Sequence, residues 1–208
     1  MRSFAHTLRG VVTPRRGGVF LALALVCAVG VSGAVGKTSS KKAVVVTDAN
    51  DAASGMVDLT RVSVGAASKS RIKVNLRAAT DWDAEDLLAS SGPPGSICLK
   101  MWTKSDPPDQ TPDYLLCVTS TKDEQLRASL LRVRANQLPK RVARAQIDQS
   151  DRSVTLMFRQ KSIGSPSAIR FAGESTRPGC IKANCIDLAP NAPKTGRLKL
   201  STSASTGT

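Results

Sequence analysis

The chain has 208 residues, and its 30 lysines and arginines against 16 acidic residues give a formal net charge of +14. His6 is the only histidine, and aromatic residues make up 3% of the sequence. Serine–histidine and cysteine–histidine catalysis therefore lack their base, and no nucleophile elbow or glycine-rich phosphate loop is present. With few aromatic residues among the cations, no nucleic-acid partner is expected. This composition favours a basic binding or structural protein over an enzyme.

The beginning of the chain has the order of an export signal. Four arginines precede an acid-free apolar run over residues 19–31, and small residues at Ala34 and Gly36 fit a signal peptidase site. We predict a signal peptide over residues 1–36, which directs the protein out of the cell. The alternative is an uncleaved anchor with the domain outside, because the apolar run and its flanks approach the ~20 residues that span a bilayer.

The charge of the predicted mature chain, which begins at Lys37, bears on its partners. The leader holds four arginines and no acidic residue, so 26 basic and 16 acidic side chains remain, a net charge of +10. Outside the cell this charge favours an anionic envelope polymer or glycan as partner. The alternative is a cationic surface that serves solubility alone.

Cysteine usage predicts two disulfides. Once Cys27 is lost with the leader, four cysteines remain in an oxidising compartment. We predict that Cys98 pairs with Cys117, because a proline-rich turn between them places the two opposite each other in a hairpin. Cys180 and Cys185 are then left to close a local loop. A four-cysteine zinc site is the rival, but neither pair has the spacing of a zinc knuckle.

Alternation of apolar and polar residues is the main signal over residues 48–200. Every second residue of 71–78 is apolar, as a half-buried strand requires, and residues 154–158 repeat the pattern. A flexible lead-in at 37–47 and a disordered tail at 201–208 flank this region. Further strands are predicted over residues 59–64, 97–103, 114–119, 141–147, 168–172 and 197–200. Short strands separated by turns indicate an all-β fold, an antiparallel β-sandwich.

Residues 121–138 carry a conflicting signal. Thr121 and Glu124 have the spacing of a helix capping box, and leucines and valines follow at near-helical spacing. As a helix the segment would expose three arginines, as a solvated face or as a basic surface for a partner. The same residues also alternate as a strand, so the local pattern leaves both structures open over residues 124–135.

Two acidic groups are the remaining source of metal or acid–base chemistry. The denser group is Asp81, Asp83, Glu85 and Asp86, and the looser group is Asp48, Asn50, Asp51 and Asp58. Either could offer carboxylate oxygens to calcium, although neither has the pattern of an EF-hand. A short helical insertion through Leu88, with acids in its first turn, explains the denser group without a metal. We therefore predict no metal, no cofactor and no catalytic residue, with Asp81, Asp83 and Asp86 as the metal candidates if one binds.

Three stretches carry a resemblance to a known family. They are residues 58–64 (DLTRVSV), 112–117 (PDYLLC) and 154–166. The chain resembles secreted bacterial β-sandwich domains of the DOMON-like type and related carbohydrate modules, over roughly residues 48–200. This resemblance implies a β-sandwich, favours strand over helix at 124–135, and implies a sugar-binding, haem-binding or accessory module.

The mature chain departs from the ligand-binding members of that group. It has no histidine for haem, and Met101 and Met157 lie in strand patterns typical of packing. Sugar binding uses an exposed aromatic ring, and Trp82 is the candidate outside a predicted strand, although core packing also explains it. The sequence predicts a non-catalytic secreted module with a basic surface. The alternatives are a carbohydrate-binding module and a calcium-dependent or hydrolytic domain.

Overall fold

The computed structural model describes residues 43–68, 70–104 and 111–201. Some predictions lie outside these ranges: the signal peptide at 1–36, the start of the lead-in at 37–42, the turn around 106–109 and the tail at 202–208. Within the described ranges, no helical segment has the length and apolar character needed to cross a bilayer.

Five antiparallel strands form the first sheet. They are β1 Val44–Thr47, β2 Leu59–Ala67, β3 Arg71–Ala78, β8 Gln146–Ser150 and β9 Ser153–Arg159, in the spatial order β1–β2–β3–β9–β8. Val64, Val74 and Leu156 are aligned across β2, β3 and β9 and are fully buried. The alternation predicted for β3 and β9 thus places one face of this sheet in the core.

Seven antiparallel strands form the second sheet. They are β4 Ser96–Trp102, β5 Tyr114–Ser120, β6 Leu126–Arg134, β7 Gln137–Arg144, β10 Ala168–Thr176, β11 Ile186–Ala189 and β12 Gly196–Lys199. The order is β11–β10–β4–β5–β6–β7, and β12 pairs with the first part of β10 while β11 pairs with the last part. With the first sheet, these strands give the all-β fold that the sequence predicted.

The core lies between the two sheets, where β2 faces β10 and β11. Fully buried side chains from both sheets fill it, and each contributes roughly 1.5–3 kcal/mol through burial; they include Phe171, Leu76, Leu99, Leu130 and Leu156. The sheets approach closely at Gly173, where an added Cβ would lie 2.7 Å from Cγ2 of Val62. The two sheets can therefore pack this closely at Gly173 because that residue has no side chain.

Residues 126–134 form strand β6, so the helix alternative is wrong. Glu124 takes φ 55° and donates its backbone N–H to the Thr121 carbonyl at 2.9 Å, while Thr121 Oγ1 accepts from Gln125 N at 3.3 Å. The residues that resembled a helix cap thus close the hairpin between β5 and β6. Pairing on both edges and burial of Leu130 override the local helix preference.

Strand boundaries also needed correction. The lead-in predicted at 37–47 contains β1, whose four residues pair with β2. The single strand predicted at 141–147 is two strands in different sheets, because the chain changes sheets at Ala145, where β7 ends and β8 begins. The four residues of β11, adjacent to the cysteine loop, had no strand prediction. The predicted short helical insertion is a single 3₁₀ turn, Glu85–Leu87.

Candidate functional site

Both predicted disulfides are present. Cys98 and Cys117 are register partners on β4 and β5, with Cα atoms 4.0 Å apart, as the hairpin argument predicted. Cys180 is bonded to Cys185 in the loop before β11, with a Cα separation of 5.9 Å. Because a zinc knuckle needs free thiolates, bonding of all four cysteines excludes the zinc alternative.

Trp82 packs in the core. It is 6% exposed and belongs to the buried apolar cluster. Its backbone N–H donates to the Asp151 carbonyl at 2.9 Å, and its own carbonyl accepts from Gln149 Nε2 at 2.8 Å. These bonds fix the segment that carries Trp82 against the β8–β9 hairpin. A ring held in this way presents no free face to a sugar, so the carbohydrate alternative loses its candidate residue.

Asp81, Asp83 and Asp86 are exposed, and each has a local role. Asp81 Oδ1 forms an ion pair with Nε of Arg152 at 2.8 Å. Asp83 Oδ1 accepts from Glu85 N, and Asp86 Oδ2 accepts from Asp83 N, both at 2.8 Å. These carboxylates pair with neighbours around the 3₁₀ turn. The acids that could hold a metal lie elsewhere in the described part of the chain.

The looser acidic group gathers at one end of the sandwich. Asp48 follows β1, Asp58 precedes β2, and Asp187 on β11 joins them from the second sheet. Carboxylate oxygens of Asp48, Asp51 and Asp187 lie within 4.8 Å of one another. We call Asp48, Asp51, Asp58 and Asp187 the aspartate cluster.

Backbone and amide groups hold the aspartate cluster in place. Asp58 Oδ2 accepts from Ala52 N at 3.1 Å, and Asp187 Oδ2 accepts from Leu59 N at 3.3 Å. The side-chain amide of Asn191 donates to Asp51 Oδ2 at 3.1 Å and to Asp48 Oδ1 at 3.5 Å, and the backbone N–H of Asn191 also donates to Asp48 Oδ1 at 3.4 Å. The amide of Asn191 thus organises the cluster, and Asn191 was not part of the acidic group named from the sequence.

Asp187 has an unfavourable environment for its charge. Burial raises the pKa of Asp187, the hydrogen bond from Leu59 N lowers it, and the charges of Asp58, Asp51 and Asp48 raise it further. Sequence reasoning missed both Asp187 and Asn191. They follow the loop Asp48–Asp58 by more than a hundred residues, and no local pattern links the two regions.

The β6–β7 hairpin is the most one-sided charged segment in the described part of the chain. It spans residues 126–144 and contains no acidic residue; its cations are Arg127, Arg132, Arg134, Lys140, Arg141 and Arg144. We call residues 126–144 the cationic hairpin. β7 is exposed along nearly its whole length and forms the edge of its sheet. The ion pairs found among the described residues, Lys100 with Glu174 and Arg152 with Asp81, do not involve it.

The cationic hairpin also places like charges opposite each other. Arg132 on β6 is the register partner of Lys140 on β7, an arrangement that destabilises an antiparallel pair. Together with Arg134 they line a groove of about 240 Å³ whose apolar members are Leu138 and Val142. Leu138 is 92% exposed. The hairpin therefore offers a solvent-facing surface on which three cations converge.

A second basic surface covers the outer face of the first sheet. Its members are Arg61, Arg71, Lys73, Arg77 and Arg159. Arg71 donates to Gln146 Oε1 at 3.2 Å, and Asp148 on β8 lies on the same face. This face also pairs like charges, Arg61 with Arg77 and Arg71 with Arg159, but it includes an acidic residue, whereas the cationic hairpin contains none.

Comparisons of the chain with protein-family models, with curated proteins and with solved structures found no match. The resemblance to DOMON-like sandwiches therefore stays a prediction. Because a fold does not by itself specify a function, the function is inferred from two features of the folded chain, the cationic hairpin and the aspartate cluster.

Proposed function

We propose that this protein is a non-catalytic extracellular module that binds an anionic polymer of the cell envelope through the cationic hairpin. The observation that carries the proposal is the presence of six basic side chains and no acid in one exposed hairpin. Two of these cations, Arg132 and Lys140, lie directly opposite each other and repel one another. A polyanion laid along the strands would relieve that repulsion and gain charge-assisted hydrogen bonds, most effectively from arginine.

The spacing of the cations favours a polymer over a single small anion. Residues two apart on one face of a strand are separated by about 6.5–7 Å, and paired strands by about 4.7–4.9 Å. Arg132 and Lys140 lie opposite each other on paired strands, and Arg134 lines the same groove, so the three form a patch that several anionic groups could contact. One small anion would neutralise only part of this patch.

Features of the rest of the chain support an extracellular setting. The order of residues 1–36 is that of an export signal. The described domain contains two disulfides, which persist in oxidising compartments. An exported domain would meet envelope polymers directly, without having to cross a membrane to reach them.

Retention on immobilised envelope polymer across a salt series tests the proposal. The test variant is the triple substitution Arg132→Gln, Arg134→Gln and Lys140→Gln. The matched control, Arg61→Gln, Lys73→Gln and Arg77→Gln, removes the same charge from the outer face of the first sheet. Each exposed ion pair contributes about 0.2–1 kcal/mol, so we expect the hairpin variant to bind roughly threefold to a hundredfold more weakly.

Wild-type retention should also fall as salt rises, because screening shortens from ~8 Å at physiological ionic strength to ~3 Å near 1 M. Equal losses in the two triple variants would mean that total charge matters and that the hairpin is not the site. A parallel arm with anionic vesicles and Leu138→Ser addresses a lipid surface. Vesicle binding that exceeds polymer binding and is lost in Leu138→Ser would overturn the polymer as partner.

A further inference from the structure

We propose that the aspartate cluster binds one calcium ion, which ties the two sheets together where β1, β2 and β11 meet. The inference does not depend on the function proposed for the cationic hairpin, because the two features share no residue. It rests on the geometry of the carboxylates, on unsatisfied buried oxygens and on the absence of a counter-charge among the described residues.

The separation of the carboxylates fits calcium. Calcium binds oxygen ligands at about 2.3–2.6 Å, so two oxygens on opposite sides of the ion are roughly 4.6–5.2 Å apart. The oxygens of Asp48, Asp51 and Asp187 lie within 4.8 Å of one another. Magnesium demands near-ideal octahedral geometry, whereas calcium accepts a less regular set of oxygens such as carboxylates brought together from separate segments of the chain.

Buried oxygens without a hydrogen-bond partner belong to the aspartate cluster or to a neighbouring residue. In the described part of the chain, three buried side-chain oxygens have no hydrogen-bond partner: Asp48 Oδ2, Asp58 Oδ1 and Ser175 Oγ. Two belong to the cluster, and Ser175 is the register partner of Asp187. A buried polar atom without a partner costs about 1–3 kcal/mol. A cation would satisfy the two carboxylate oxygens directly.

Asp58 is the strongest single indication of a ligand. Its side chain is 8% exposed, and only Oδ2 is satisfied, by the N–H of Ala52 next to Asp51. The N–H of the next residue, Leu59, donates to Asp187 Oδ2 at 3.3 Å. A buried carboxylate with a free oxygen is thus linked through backbone N–H groups to the segments that carry Asp51 and Asp187, and a bound cation would stabilise it there.

Among the described residues, no basic side chain forms an ion pair with the aspartate cluster, because the ion pairs present, Lys100 with Glu174 and Arg152 with Asp81, lie elsewhere. The chain has 30 lysines and arginines for 16 acids, so cationic side chains were abundant. An acidic group that remains unpaired in such a basic protein is expected to take its counter-charge from solution.

Asn191 and a surface cleft lie beside the aspartate cluster. Asn191 donates to both Asp48 and Asp51 and so orients these two carboxylates. A cleft of about 290 Å³, lined in part by Asp51, Asp187 and Asn191, connects the cluster to solvent. Water entering through the cleft could complete the six to eight oxygen ligands that calcium prefers.

The test is calcium titration of EDTA-treated protein by calorimetry, with thermal unfolding measured in parallel. We expect one calcium ion per chain, with a Kd in the range of about 0.1–1 mM that is typical of extracellular modules. Asp58→Asn and Asp187→Asn keep the side-chain shape and should weaken binding about tenfold or more. Asn191→Ala, which removes an orienting partner, should weaken it by about 10- to 100-fold. Asp83→Asn, in the other acidic group, is the matched control and should bind as wild type does.

Thermal unfolding separates a specific site from a folding defect. The melting temperature of wild type should rise in CaCl₂ but not in KCl of equal ionic strength, and it should rise less in Asp187→Asn. If the buried variants fail to fold, Asp51→Asn at the exposed edge of the cluster takes their place. Absence of binding at millimolar calcium, or equal weakening by Asp83→Asn, would overturn the site. Equal affinity for magnesium would overturn the assignment to calcium.

Discussion

Replacing Cys98 and Cys117 together by serine removes the covalent link between β4 and β5, which are central strands of the second sheet. The bond joins positions 19 residues apart. In the chain-entropy account, a loop of that size stabilises the fold by about 3 kcal/mol at 25 °C. The Cys180–Cys185 bond joins positions 5 apart, and the same relation gives about 2 kcal/mol. We therefore expect the first double-serine variant to lose more stability than the second.

Urea denaturation followed by tryptophan fluorescence measures both losses, because Trp82 and Trp102 are buried and should report unfolding. The double variant Cys180→Ser and Cys185→Ser is the matched control, because it also removes two cysteines and one disulfide, but from a loop outside the β4–β5 ladder. An unchanged urea midpoint for the Cys98 and Cys117 variant would refute the reasoning. A larger loss in the control would refute it as well, because loop length would then not determine the contribution.

Two further predictions concern the core. Trp82→Ala should destabilise the protein by about 3–5 kcal/mol, because a buried ring is removed from a packed interior; an unchanged urea midpoint would mean that the ring is exposed. Gly173→Ala should cost about 1–3 kcal/mol, because the new Cβ would lie 2.7 Å from Val62 Cγ2 and the two sheets would have to separate. Thermal unfolding measures this cost, and wild-type stability in Gly173→Ala would contradict the close approach of the sheets.

Much of the fold follows from period-two patterns because each face of a strand meets a different environment. β3 and β9 were predicted with nearly their observed bounds, since burial on one face of each sheet imposes the alternation. β6 was ambiguous because its leucines and valines fit both periods, and only pairing with β5 and β7 decides the strand. The change of sheets at Ala145 left no local signal, since alternation continues through it.

The candidate site was less predictable because its parts meet only in the folded chain. Asp48, Asp51 and Asp58 were recognised as one acidic group, but Asp187 reaches them through the pairing of β11 with β10 and the packing of β11 on β2. No spacing along the sequence encodes that contact. Trp82 illustrates the same limit, because a tryptophan outside a strand was a candidate for an exposed ring until the fold placed it in the core.

Footprinting of lysine side chains by acetylation, with and without envelope polymer, tests the central claim most directly. Lys140 lies in the cationic hairpin, whereas Lys73 is exposed on the outer face of the first sheet. If the hairpin is the binding surface, mass spectrometry should find Lys140 protected by polymer and Lys73 modified as in the free protein. Protection of Lys73 without Lys140, or equal protection of both, would contradict attachment through the cationic hairpin.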